Sequence, residues 1–113
     1  MTSQNLLTML KANLEKRNNI NDSYLTDLII PAAISAIQRE GITIHTETVE
    51  GATDYTEPEE INVIIMQAAY YYRQRVSNSE GKMTMALHPQ GEPYMLRIAK
   101  NNLLFSQKMR ATV

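Results

Sequence analysis

Apolar residues recur at helical spacing along most of this chain. In "SQNLLTMLKANLEK", Leu6, Leu7, Leu10 and Leu14 fall on one face, and Ser3 stands where an N-cap is wanted. Turn-prone "RNNIND" ends that pattern. A second helix begins near Asp22, "DSYLTDLIIPAAISAIQREG". Leu25, Leu28, Ile29, Ala32 and Ala36 form its stripe, and Ile30, Ala33, Ile34 and Ile37 widen it into an arc that needs cover on most sides. Gly41 is the natural stop. Pro31 removes a backbone donor and crowds the turn before it, so a kink or a split is expected there.

The period then changes. Ile42, Ile44, Thr46 and Thr48 alternate with other residues and are β-branched, which predicts an extended arm or short strand near 42–50. Gly51 and Asp54 mark a loop. "TEPEE" has the form of a helix start, with Thr56 and Glu59 spaced as a capping box and Pro58 in the first turn. The third helix should run from Glu57 to Val76. A long loop at 77–92 follows, with a short strand possible at "KMTMAL". The fourth helix starts at Pro93, "PYMLRIAKNNLLFSQK", where Met95, Ile98, Ala99, Leu103 and Phe105 can supply an apolar side. The tail 109–113 is expected to be flexible. The sum is a mainly α single domain over 1–113: a small bundle of about four helices with one extended arm.

The third helix raises a question through "AAYYYRQR", three adjacent tyrosines running into Arg-Gln-Arg. Successive helical side chains point about 100° apart, so three in a row cannot share one core. Ile61, Ile65, Ala68, Tyr72 and Val76 make one stripe. Val63, Met66 and Tyr70 make another on the opposite side, with Tyr71 at the flank. The second face must be covered by another layer of this chain or by another molecule. Tyr and Arg are over-represented at interfaces, which favours the latter. Val63, Met66, Tyr70, Tyr71, Arg73 and Arg75 are therefore expected at a subunit interface.

Charge sharpens that expectation. The net charge is only −1, but it is unevenly placed. Residues 40–60 carry Glu40, Glu47, Glu50, Asp54, Glu57, Glu59 and Glu60 with no Lys or Arg, while residues 61–113 are net basic. One reading is an ordinary solvated surface. The sharper one is head-to-tail attraction between copies.

Little catalytic chemistry is legible. There is no cysteine, hence neither disulfides nor a thiolate metal site. His45 and His88 lack metal-ligand spacing, and no phosphate-loop, dinucleotide or nucleophile-elbow motif occurs. Glu57, Glu59 and Glu60 suit the positive end of a helix dipole better than a catalytic pair. No apolar run is long enough to span a membrane, and the first residues lack the marks of a secretory signal. No enzyme activity, metal or cofactor is expected. Met83 and Met85 flank Thr84 on one side of an extended segment, where they can offer a partner an adaptable apolar patch. A DNA-binding regulator is the competing class, although a sequence pI near 6.1 is low for one.

The order of elements resembles the head–tail connector (adaptor, or head-completion) proteins of long-tailed bacteriophages. The resemblance rests on "LLTMLKANL" followed by "DSYLTDLIIPAAISAIQREG", then "EPEEINVIIMQAAYYYRQR", then "PYMLRIAKNNLLFSQK". It covers roughly residues 5–108; Pro31 and the acidic 45–60 segment depart from the family pattern. It implies a structural virion protein that forms a ring of about a dozen copies below the portal. The ring would extend the DNA channel and dock neck or tail components. Implied partners are further copies of the chain, the portal protein and a neck or tail-completion protein. DNA would pass without sequence-specific binding, and the protein would sit at the head–tail interface of the virion, and in the host cytoplasm during assembly. The resemblance also points to Lys82, Met83, Met85, His88, Arg97, Lys100 and Lys108 as contacts to portal or neighbour.

Overall fold

The computed structural model describes residues 2–14, 22–76 and 92–111. It is mainly helical, with one small antiparallel sheet, as the periodicity predicts. Helix α1 (Ser3–Leu14) buries Leu6, Leu7, Leu10 and Leu14. Its cap lies one residue earlier than expected: Asn5 N–H donates to Thr2 Oγ1 (3.4 Å) and Leu6 N–H to Thr2 O (3.0 Å).

The second helical stretch carries Pro31 without a break. A short turn, α2 (Asp22–Tyr24), leads into a π-helical stretch, Leu25–Ile29, and then helix α3 (Ile30–Arg39). Ile30 N–H donates to Leu25 O, five residues back, and Pro31 sits in the first turn of α3. The wider π turn gives the ring room where an α-turn would crowd it. The extra residue also shifts the apolar face. Leu25, Ile29, Ile30, Ala33 and Ile37 are buried, whereas Leu28, expected on the stripe, is 44% exposed. Gly41 ends α3 at φ 92°, a left-handed conformation, with its N–H donating to Gln38 O (3.0 Å).

Residues 42–45 run as an extended strap, with Ile42 buried. Strand β1 (Thr46–Val49) follows, then β2 (Ala52–Tyr55), where only a loop was expected. They pair antiparallel with Thr46 opposite Tyr55, Glu47 opposite Asp54, Thr48 opposite Thr53 and Val49 opposite Ala52. The two turn residues, Glu50 (φ 53°) and Gly51 (φ 81°), both have positive φ, the requirement of the tight turn that matches strand twist.

Helix α4 (Pro58–Val76) is the central element and packs against α1, α3 and the last helix, α5 (Tyr94–Ala111). Its cap is Glu57, whose carbonyl accepts from Ile61 N–H (3.0 Å), one residue after the Thr56 cap expected. Helix α1 runs in the same direction as α4: Arg73 Nη2 donates to Asn13 O and Oδ1 (3.3 Å each) near both C-termini. Helix α5 runs the opposite way, pairing Lys100 with Gln67 and Arg110 with Glu57.

Both stripes of α4 are therefore covered within one chain. Ile61, Ile65, Ala68 and Tyr72 are buried as expected, and so are Val63, Ile64, Ala69, Tyr70 and Tyr71. The second layer is the protein's own α5. This corrects the expectation that Val63, Tyr70 and Tyr71 face a neighbouring copy: each is at most 6% exposed in a single chain. Tyr70 and Tyr71 tilt against each other with ring centroids 5.8 Å apart.

Candidate functional site

The sequence-expected interface residues separate in the fold. Met66 is half-buried, and Arg73 is exposed and bonded to α1 as described. The side chain of Arg75 and the residues Lys82, Met83, Met85 and His88 lie outside the described residues, as does the short strand expected at 82–87. Of the remaining expected partner contacts, Lys108 is exposed. Lys100 turns inward, which corrects its expectation as a partner contact, while the Arg97 side chain stays 42% exposed.

Lys100 is 3% exposed, and its Nζ donates to Glu40 Oε2 (2.6 Å) and Gln67 Oε1 (2.8 Å) and pairs with Glu92. Arg97 reaches the same two carboxylates: Nη1 to Glu40 Oε1 (2.6 Å) and Nε to Glu92 Oε2 (2.9 Å). Two cations and two anions thus join the end of α3 to the start of α5 over the middle of α4. Every charge has a partner, the condition under which buried ionic groups are tolerated. Burial pushes the Glu40 carboxyl up, but the hydrogen bonds from Lys100 and Arg97 outweigh it and hold the carboxyl below its ordinary value. Burial, with Glu92 adding to it, raises the phenols of Tyr70 and Tyr71.

A second polar cluster fastens the strap. Glu60, 2% exposed, accepts from His45 N–H (2.5 Å) through Oε1, while Oε2 lies 2.6 Å from His45 Nδ1 and 3.2 Å from Gln107 Nε2. Gln107 also holds Thr43 in both directions, accepting from its N–H (2.8 Å) and donating to its O (2.7 Å). The contact pins residues 43–45 across α4 and α5 at the root of the hairpin. Thr43, His45, Gln107 and Arg110 line a shallow hollow there. Among the described residues no group of three or more His, Cys, Asp or Glu is arranged to hold a metal ion.

Of the exposed large apolar residues among those described, most lie on α5; Met9, Leu28 and Val49 lie elsewhere. The inner face of α5 is Leu96, Lys100 and Leu103. Its outer face carries Met95 (66% exposed), Phe105 (66%) and Met109 (55%), with half-buried Ile98 and exposed Asn102 between them. The positions 95, 98, 102, 105 and 109 alternate three and four apart, the spacing of a helical seam. The sequence analysis grouped Met95 and Phe105 with Leu103; the structure divides them between two faces. That three-four spacing was the available signal. Beside the stripe a groove of about 360 Å³ opens between α4 and α5, with Val63, Ala99 and Leu103 along it and Glu59, Asn62, Asn102 and Ser106 at its polar positions.

The hairpin is the other exposed feature. Both β1 and the start of β2 face solvent, and nothing lies within 4 Å of a side chain built at Gly51. No helix among the described residues is long and apolar enough to cross a membrane. No family model, curated protein or solved structure matches the chain.

Proposed function

We propose that this protein is a structural component of a phage virion, a head–tail connector that assembles as a ring below the portal, extends the DNA channel and docks neck or tail components. The observation that carries the reading is the outward stripe of Met95, Ile98, Phe105 and Met109, three of them more than half exposed, on one helix of the domain. Contiguous exposed apolar surface marks a site for another molecule. An acidic hairpin stands elsewhere on the same chain, so each copy offers two chemically different surfaces. Unlike surfaces on one subunit join head to tail, and such joints close into rings when the rotation permits. The order of helices resembles that of connector proteins, which supplies the portal vertex as the setting.

A DNA-binding regulator fits less well. Lys100, Arg97 and Arg110 are engaged in ion pairs within the chain, so the basic C-terminal half presents no broad cationic face among the described residues.

Sedimentation across protein concentration, with and without a purified portal protein, tests the reading. A species of about a dozen copies, formed alone or on the portal, is expected of a ring subunit. Tight duplex-DNA binding with steep salt dependence, together with a fixed monomer or dimer that ignores portal, would point to the regulator instead.

A further inference from the structure

We infer that the joint between copies is formed by one face of the hairpin seated on the C-terminal half of α5 of the next copy. The inference rests on the ring reading and names the surfaces that such a ring would use. The register of the hairpin puts Glu47, Val49, Ala52 and Asp54 on one face and Thr46, Thr48, Thr53 and Tyr55 on the other. The first face is a small apolar patch with two carboxylates beside it. Val49 is 50% exposed, and Glu47 and Ala52 are exposed.

That face is poorly suited to standing alone. Glu47 lies directly opposite Asp54, and like charges at paired positions oppose strand association. A third acid, Glu50, sits in the turn at positive φ. Its own chain holds the hairpin at the base, where Thr2 bridges Asp54 and β2 meets α1, while β1 and Ala52 stay exposed. A cation beside the exposed Glu47 would offset the like charges of this pair, and an apolar surface against Val49 and Ala52 would bury what is now wet.

The end of α5 offers both. Phe105, Lys108 and Met109 are spaced i, i+3, i+4 and share one exposed side of the helix. Lys108 is exposed, and no ion pair engages it among the described residues. Val49 and Ala52 match Phe105 and Met109, and Glu47 and Asp54 match Lys108. The two surfaces are different, so the contact repeats head to tail.

The absence of cysteine makes a direct test simple. Two single variants, Val49→Cys and Met109→Cys, both at exposed positions, are purified reduced, mixed at high concentration and oxidised. The expected product is a disulfide dimer containing one of each, and the double variant should give a ladder of higher oligomers. Adding Lys108→Glu should cut the mixed dimer about tenfold, and Glu47→Lys in the other partner should restore it. By itself Glu47→Lys should firm the hairpin by facing Asp54 with a cation, yet weaken association, a combination that a purely structural role would not produce. Disulfides formed only between two Val49→Cys copies or only between two Met109→Cys copies would overturn the inference in favour of like-with-like pairing. No cross-link at any concentration would also overturn it. Ring-sized particles without the mixed cross-link would sink this joint alone and leave the ring reading standing; a species that never exceeds a dimer would sink the ring as well.

Discussion

Lys100 Nζ on α5 lies 2.6 Å from Glu40 Oε2 at the end of α3, and only 3% of the lysine is exposed. The contact joins residues 60 positions apart. Through Gln67 and Glu92 it ties three helices at one point. Replacing Lys100 with Met keeps the volume of the stem but leaves Glu40 and Glu92 short of a cation. The expected loss is about 3 kcal/mol of folding stability, read from the denaturant midpoint. Adding Glu92→Gln should recover part of it. A Lys100→Met protein as stable as the parent would show that the pair contributes nothing.

Acid and alkali should each weaken the fold through this region. Glu40 ordinarily titrates near 4.5 and is held lower in the folded chain, burial opposing and the Lys100 and Arg97 bonds prevailing. Its contribution is complete above the unfolded value and is lost as pH falls through the folded one. Tyr70 and Tyr71 ordinarily titrate near 10.0 and are raised, chiefly by burial. Their contribution is complete below that value and is lost as pH rises through the folded one. Thermal melts should therefore fall below about pH 4.5 and above about pH 10. Glu40→Gln should flatten the acid limb, and Tyr70→Phe the alkaline one.

Glu60 is the acceptor for His45 and Gln107. Glu60→Ala removes a buried acceptor shared by exposed His45 and half-buried Gln107, at a cost of about 1 kcal/mol. Amide hydrogen exchange should speed at Thr43 and His45 while the amides in the middle of α4 stay protected. Uniform loss of protection would mean that Glu60 supports the whole domain rather than the strap.

The turn of the hairpin offers a gain as well as a loss. Glu50 holds φ 53°, a conformation that side chains other than Asn and Gly adopt at a penalty. Glu50→Gly or Glu50→Asn should stabilise the hairpin by roughly 0.5 kcal/mol. Gly51→Ala should cost about 1 kcal/mol through backbone strain alone, since the space around it is open. Hairpin amide exchange reads both.

The two faces of α5 can be separated by paired substitutions. Leu103→Ala, on the inner face at 3% exposure, should cost about 3 kcal/mol. Phe105→Ser, at 66% exposure, should change stability by less than about 0.5 kcal/mol while reducing self-association. Equal destabilisation by both would contradict the assignment of faces.

How much of this was legible beforehand follows from which forces act locally. Helical periodicity placed all the main helices, and Gly41 and Pro58 marked ends that the structure keeps. Caps moved by one residue because Thr2 and Glu57 compete with neighbours of similar chemistry. Strand β2 was missed because Glu-Gly is a weaker turn signal than Asn-Gly. The burial of Lys100 and the pairing of Arg97 with Glu40 and Glu92 are not readable in sequence, since a cation looks solvated until its anions are known to lie beside it. The stripe of Tyr70 and Val63 needs cover by its spacing, but what covers it is a question about α5, which lies beyond the reach of any local pattern.

The order of amino acids alone determined where helices form, that the third must be surrounded, and that acid and base divide along the chain. These follow from spacing and composition, which act over a few residues. Tertiary structure decided that α5 completes the surround, that Glu40, Glu92, Arg97 and Lys100 neutralise one another where three helices meet, and that an exposed apolar stripe lies on the last helix. Those outcomes depend on which segments meet in space, and meeting is governed by packing across separations that no local pattern encodes.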